Sequence, residues 1–340
     1  MKAASVDRND PCPCGSGKQF NYCCLGKTSG PAPNNNTASP SDALRKALEG
    51  QRFDTLEDAQ VFVTEHTWQQ NQRQLDEFEG LSPELMAWML HQPFTSVRLV
   101  LFPEVLKSQP STPITRLFSL LAEAIGEQGL KPTAKGNLPR NFCRDAALAY
   151  WDEKTHQERT RCGGINREED FFDLHVTRLV AELAGLIRKY KGRFILSRDC
   201  RRLLAEGGLA VVYSRLLKAY AEQFNWAYRD GYADLRFIQQ ASLFTLYLLT
   251  RHGDTWRSQT FYEDAFLRAF PIVLNDVPPS PIFTAEEDLR RCYTWRTLVD
   301  FVGFFGLAEV EKVSDDILCH EYRVKALPLL GNAVQFQFPR

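Results

Sequence analysis

Four cysteines fall within thirteen positions near the start of the chain, as Cys12-Pro13-Cys14 and Cys23-Cys24. A segment that short has almost no hydrophobic core, so something other than burial must hold it folded. Zinc does this with four thiolates at about 2.3 Å in a tetrahedron. Pro13 fixes φ between the first two ligands, and Gly15 and Gly17 let the chain reverse without a Cβ penalty before Cys23 and Cys24 return to the metal. Metal binding then supplies the folding free energy, on the order of 10 kcal/mol, and the segment is expected to be disordered without it. One ion with all four positions filled by protein leaves no place for water, so the metal is expected to be structural and not catalytic.

Other chemistries fit these residues less well. Gly15-Ser16-Gly17-Lys18 lacks the earlier glycine of a phosphate loop, has Gln19 where Ser or Thr belongs, and follows no strand. A redox dithiol is more often spaced Cys-x-x-Cys, and disulfides are disfavoured in a reducing compartment. The run Arg8-Asn9-Asp10-Pro11-Cys12-Pro13-Cys14-Gly15-Ser16-Gly17-Lys18-Gln19-Phe20-Asn21-Tyr22-Cys23-Cys24 resembles the SEC-C metal-binding motif. That resemblance implies zinc ligation by Cys12, Cys14, Cys23 and Cys24, with Cys24 where the version ending the bacterial secretion ATPase SecA commonly has histidine. It also implies docking, because the SecA module contacts a secretory chaperone and ribosomes. Nothing in the rest of the chain resembles a secretion ATPase. Over residues 1–27, Lys2, Arg8, Lys18 and Lys27 outnumber Asp7 and Asp10. Arg8, Lys18, Phe20 and Tyr22 are therefore candidate partner-binding residues, suited equally to an acidic protein or to RNA; alternatively the two aromatics only pack over the metal site.

Residues 28–42 hold three prolines, three asparagines and no large apolar side chain, the composition of a flexible linker. Beyond it the sequence predicts a mainly α body: a helical, acidic subdomain over 43–130, a helical subdomain with a basic hairpin over 131–275, and a smaller C-terminal subdomain over 276–340. Ser41-Asp42 can cap a helix opened by Ala43. Between Asp42 and Lys107, eleven acids face six basic residues, which would repel a phosphate backbone.

From Leu174 to Ile187 the apolar run has helix length, and Arg188-Lys189-Tyr190-Lys191-Gly192-Arg193-Phe194-Ile195-Leu196 reads as a hairpin turning at Gly192. Ser197 can cap the next helix. Helix, hairpin, helix is the tail of a winged-helix unit. A weaker echo runs from a helix over 294–306 through 308–313 to a return strand near Cys319–Val324. Between Leu186 and Lys218, nine basic residues stand against Asp199 and Glu206. On a winged-helix reading Arg188, Lys189, Lys191 and Arg193 reach phosphates while the helix from Leu174 faces a groove, although its apolar run offers few base-reading side chains. The bland alternative is a solvated basic face or protein interface. Residues 208–275, rich in leucine and aromatics, read as packed core helices.

Thr133-Ala134-Lys135-Gly136-Asn137-Leu138-Pro139-Arg140 resembles a segment of uncharacterised bacterial proteins, some with a plasmid-encoded Orf-type domain, over about 115–250. That resemblance imports no activity; locally, Gly136 and Pro139 mark a turn and a helix start. No nucleophile, base and acid set converges in the sequence. The six histidines show no metal-ligand spacing, Cys162-Gly163-Gly164 reads as a loop, and Cys292 with Cys319-His320 supplies only three ligands. Glu168-Glu169-Asp170 reads as acid leading into a helix N-terminus. With a net charge of −1, no run of 18 apolar residues and no signal-peptide pattern, the expected setting is the cytoplasm, without membrane insertion. Three functions stay open: a zinc-binding adaptor docking on a protein or ribosomal partner, a winged-helix nucleic-acid-binding regulator, and an enzyme localised by the knuckle. The last predicts a polar pocket around 136–175.

Overall fold

The computed structural model describes residues 40–95, 99–314 and 321–337, in two units, 1–69 and 70–340. In the first, helix α1 (Pro40–Leu48) starts ahead of the expected cap, so Ser41 and Asp42 lie inside its first turn. Helix α2 (Leu56–Gln72) is started by Thr55: its hydroxyl accepts from the Asp58 N–H at 3.1 Å, and the Asp58 carboxylate accepts from the Thr55 N–H at 3.1 Å. No side chain of α2 is buried.

The second unit is mainly α, with three small sheets. It begins with α3 (Pro83–His91), capped by Ser82, and a short strand β1 (Val100–Leu101). Helix α4 (Pro113–Ile125) has proline in its first turn and a Thr112–Thr115 capping box, and it buries Ile114, Leu117, Phe118, Leu121 and Ile125 on one face. Leu130 then pairs antiparallel with Phe194. Helices α5 (Arg140–Tyr150), α6 (Glu153–Thr160) and α7 (Phe172–Leu183) lead into strands β2 (Ile187–Tyr190) and β3 (Arg193–Leu196). The apolar run from Leu174 is thus split. Gly185, at φ +69°, closes α7 with a bond from the Leu186 N–H back to the Ala181 carbonyl, and Leu186-Ile187 pass into the strand.

Helices α8 (Arg198–Gly207, capped by Ser197) and α9 (Leu209–Glu222) follow, then short α10 (Ala227–Asp230) and α11 (Arg236–Gln240). Next come α12 (Ser242–His252), β4 (Arg257–Ser258), α13 (Gln259–Ala269) and α14 (Ala285–Tyr293), which continues through π-helical turns over Thr294–Gly303. Strands β5 (Ala308–Lys312) and β6 (Tyr322–Ala326) complete a sheet in the order β4-β6-β5. Helix α15 (Pro328–Ala333) and β7 (Gln335–Phe336) end the described chain, and β7 pairs with β1. The core is aromatic: Tyr220 lies within 5.8 Å, centroid to centroid, of Phe224, Trp226, Phe301 and Phe305.

One order of elements occurs twice. Helix, extended segment, helix, helix and hairpin run from α4 through α5 and α7 to β3, with the short α6 inserted between the last two helices and Leu130 pairing to the last strand. They run again from α12 to β6, with β4 pairing to the last strand. The third helix of each set is buried. Helix α7 packs on α4 and α9, which bury Leu174, Val176, Thr177, Val180 and Ala181. In the second set, Thr294, Thr297, Leu298, Phe301 and Val302 are buried.

The two third helices are tied together through the α9–α10 segment. Arg229 is paired with Asp173 at the start of α7 (2.7 Å) and with Asp300 on the extension of α14 (3.1 Å), and its guanidinium lies 4.2 Å from the centre of the Phe304 ring. Tyr213 and Tyr220 donate to the Phe305 and Asp300 carbonyls at 2.9 Å. Arg296 holds Asp230 in a two-point pair at 2.6 and 2.9 Å.

Candidate functional site

The expected zinc ligands Cys12, Cys14, Cys23 and Cys24, and with them Arg8, Lys18, Phe20 and Tyr22, lie outside the described residues, as do Cys319 and His320. Among the described residues no group of three or more His, Cys, Asp or Glu side chains is placed to hold a metal. The thiols of Cys143 and Cys200 are pushed up to about 12 and about 11, and that of Cys292 to about 12, chiefly by burial. None of the three is a thiolate near neutral pH. Cys162, in the loop after α6, is exposed.

The basic hairpin forms as expected. Tyr190 faces Arg193 across the ladder, which leaves Lys191 and Gly192 as a two-residue turn, both at positive φ (+46° and +71°). Alternation along the strands then assigns the faces. Ile187, Leu196 and Phe194 point inward, and Lys189, opposite Phe194, lays its ammonium 5.0 Å from the centre of that ring. Arg188, Tyr190 and Arg193 share the outer face. The Arg188 guanidinium and the Lys191 ammonium lie 5.3 and 5.4 Å from the centre of the half-exposed Tyr190 ring, and Arg193 donates to the Gly129 carbonyl at 2.9 Å. All four cations are exposed, and among the described residues none is paired with a carboxylate. The helix expected to face a groove does not: α7 is covered by α4 and α9.

Against this hairpin sits the loop Thr133–Arg140. The Thr133 N–H donates to the Asn137 carbonyl and the Gly136 N–H to the Thr133 carbonyl, both at 2.8 Å, with Gly136 at φ +83°. What fixes the loop is Glu168, which is fully buried. Its carboxylate accepts from the Leu138 N–H (2.5 Å), from His175 Nδ1 (2.8 Å) and from Arg178 Nε (2.6 Å), and Arg178 also pairs with Glu182 at 2.8 Å. Burial alone would raise the Glu168 pKa. The His175 hydrogen bond, the Arg178 charge and the Leu138 N–H outweigh burial and hold it below the usual glutamate value. The ionised Glu168 carboxylate takes its hydrogen bond from His175 Nδ1, and Nε2 of the same ring is hydrogen-bonded to the Tyr228 hydroxyl at 2.8 Å. Glu168-Glu169-Asp170 is therefore not simply acid at a helix start: Glu168 is a buried anchor, while Glu169 accepts from Asn137 at 2.7 Å. The sequence signal that could have exposed this was the spacing of Glu168, His175 and Arg178, which places all three on one side of the entry to α7.

A cavity of about 290 Å³ opens here, lined by Thr133, Lys135, Asn137, Arg140, Arg167 and Glu169 among others. It is the polar pocket that the localised-enzyme reading expects. Its lining offers the cations Lys135, Arg140 and Arg167, the amides Asn137 and Asn166, and the carboxylates of Glu168 and Glu169, both already hydrogen-bonded to the loop; His175 is buried, with both ring nitrogens hydrogen-bonded. The arrangement suits binding of an anionic, hydrogen-bonding group.

Two known families coincide with these regions. Residues 8–26 match the SEC-C motif. Residues 110–209 match the Y4jL N-terminal domain, a span that begins just before α4 and ends as α9 begins. It thus encloses the first helix–helix–helix–hairpin set, the Thr133–Arg140 loop and the cavity, and it stops well short of residue 250. No curated protein and no solved structure matches the chain. No helix among the described residues is long and apolar enough to cross a membrane.

Proposed function

We propose that this chain is a cytoplasmic zinc-binding adaptor, with the SEC-C segment as its docking element and the helical body as its scaffold. The observation that carries this reading is the SEC-C match over residues 8–26, with thiols at Cys12, Cys14, Cys23 and Cys24. The donor set fits structural zinc: four thiolates suit a tetrahedral site and leave no position for a reacting water. Arg8, Lys18, Phe20 and Tyr22 would present the contact surface, toward a secretory chaperone or a ribosome as the motif's relatives suggest. The buried, proton-bearing cysteines of the body and the occupied His175 also favour binding over catalysis.

Zinc release by a chelator, read with a chromogenic dye, is expected to give one ion per chain, and Cys12→Ser is expected to abolish it. Sedimentation of purified protein with ribosomes, and a pull-down with a secretory chaperone, compare the full chain with one lacking residues 1–27. Unchanged binding after that deletion rejects the docking role.

A second reading, nucleic-acid binding by winged-helix-like units, draws support from the repeated order of elements and from the exposed basic hairpin. Insertion of a third helix into a major groove is disfavoured, because α7 and the extension of α14 are spent on packing the two sets together.

A further inference from the structure

We propose that the outer face of the β2–β3 hairpin, together with the Thr133–Arg140 loop beside it, binds single-stranded nucleic acid. On that face, Tyr190 is flanked by Arg188, Lys191 and its cross-strand neighbour Arg193. An exposed ring held between cations is what a base needs in order to stack while its two phosphates are met on either side. These cations have no described carboxylate partner to release before a phosphate can bind.

The other hairpin of the body provides an internal contrast. In the equivalent place, β5 and β6 set Glu309 opposite Lys325 and Glu311 opposite Arg323, and Arg323 is paired with Glu311 at 2.5 Å. That hairpin neutralises itself; the β2–β3 hairpin does not.

The surface also continues past the hairpin. Leu130 is hydrogen-bonded to Phe194 on β3, and Lys189 reaches so close to the loop that a Cβ on Gly136 would stand 3.1 Å from its ammonium. A strand that crosses Tyr190 and turns over the edge of the hairpin past Lys189 reaches the cavity, where Lys135 and Arg140 can meet a phosphate and the Asn137–Glu169 pair a base or ribose edge. Duplex DNA is the poorer fit, since the helix that would read a groove is covered. The assignment stands on the body alone and does not depend on the zinc segment.

Fluorescence anisotropy with a labelled oligouridine of about twelve nucleotides, and with the same strand paired to its complement, tests this on the full chain. The single strand is expected to bind, with a log–log salt slope of about −3 for four phosphate contacts. Replacing Arg188, Lys189, Lys191 and Arg193 together by alanine is expected to weaken it at least tenfold and to flatten the slope. Tyr190→Ala is expected to cost about tenfold, with Tyr190→Phe retaining affinity, and Lys135→Ala with Arg140→Ala a smaller amount. All these side chains are exposed, and an unchanged melting curve verifies the fold of each variant. Absence of binding at about 50 mM salt, or affinity indifferent to the four-fold alanine variant, overturns the proposal. Equal affinity for the duplex with no effect of Tyr190→Ala overturns the single-strand assignment, and equally tight binding of polyglutamate overturns the nucleic-acid class. Repeating the titration with Cys12→Ser separates the outcome from the adaptor reading, because affinity is expected to be unchanged.

Discussion

Arg229 is where the two helical sets are fastened, and Arg229→Met is the substitution that most directly tests how. The side chain is almost fully buried between Asp173 and Asp300, of which Asp300 is the more deeply enclosed. Methionine fills much of the volume but leaves the largely buried Asp300 carboxylate without its cation. Breaking a buried pair from one side costs about 3–5 kcal/mol. The loss depends on pH in a defined sense. Burial pushes the Asp300 carboxyl up to about 6, against the pull of Arg229 and with a further push from Asp173.

A raised carboxyl pKa means that the native state holds a proton the unfolded chain has lost. The contribution of Asp300 to stability is therefore fully present below the ordinary aspartate range and fades as pH rises through about 6. Without Arg229 the carboxyl rises further, so at acid pH it is neutral and its burial costs little. Urea denaturation followed by tryptophan fluorescence is expected to show the full loss at pH near 7.5 and roughly 1–2 kcal/mol near pH 5, the part due to lost hydrogen bonds and packing. Adding Asp300→Asn to Arg229→Met is expected to restore most of the difference at the higher pH. An equal loss at both pH values, or no recovery in the double variant, would refute an uncompensated Asp300 charge as the origin.

Glu168→Gln keeps the shape but removes the buried charge that faces His175 and Arg178, leaving Arg178 paired with Glu182 alone, and is expected to destabilise by about 3 kcal/mol in a thermal or urea melt. In the unsubstituted protein, Glu168 has a lowered pKa, so its contribution is present above the usual glutamate value and is lost as pH falls through the lowered one; Glu168→Gln should flatten that part of an acid titration followed by circular dichroism. Gly129→Ala places a Cβ 2.8 Å from the Phe194 carbonyl oxygen at φ +75°, and a drop in melting temperature equivalent to about 1–3 kcal/mol is expected. Gly192→Ala meets nothing within 4 Å, and its effect is expected to be confined to about 1 kcal/mol of left-handed backbone strain. Alkylation with iodoacetamide at neutral pH, mapped by mass spectrometry, is expected to label Cys162 quickly and to spare Cys143, Cys200 and Cys292 until the protein is unfolded.

Much of the local structure is written in the residues themselves. The Ser197 cap, the turn at Lys191-Gly192 and the start of α5 after Pro139 all follow from short-range chemistry that neighbours in sequence settle among themselves. The apolar run from Leu174 was legible only as buried, because helix and strand both accept Leu-Ile pairs; Gly185 decided where one became the other. Cross-chain relations were not legible at all. Glu168 looks like surface acid until Leu138, His175 and Arg178 converge on it, and His175 looks solitary until Tyr228 arrives from 53 positions away. The sequence by itself determined the thiol cluster, the helical character of the body and the basic hairpin. Only the tertiary structure decided that the third helix of each set is buried, that Arg229 fastens the two sets together, and that the hairpin's cations and Tyr190 face outward. Those outcomes depend on which surfaces meet, and contact between surfaces distant in sequence leaves no periodicity to read.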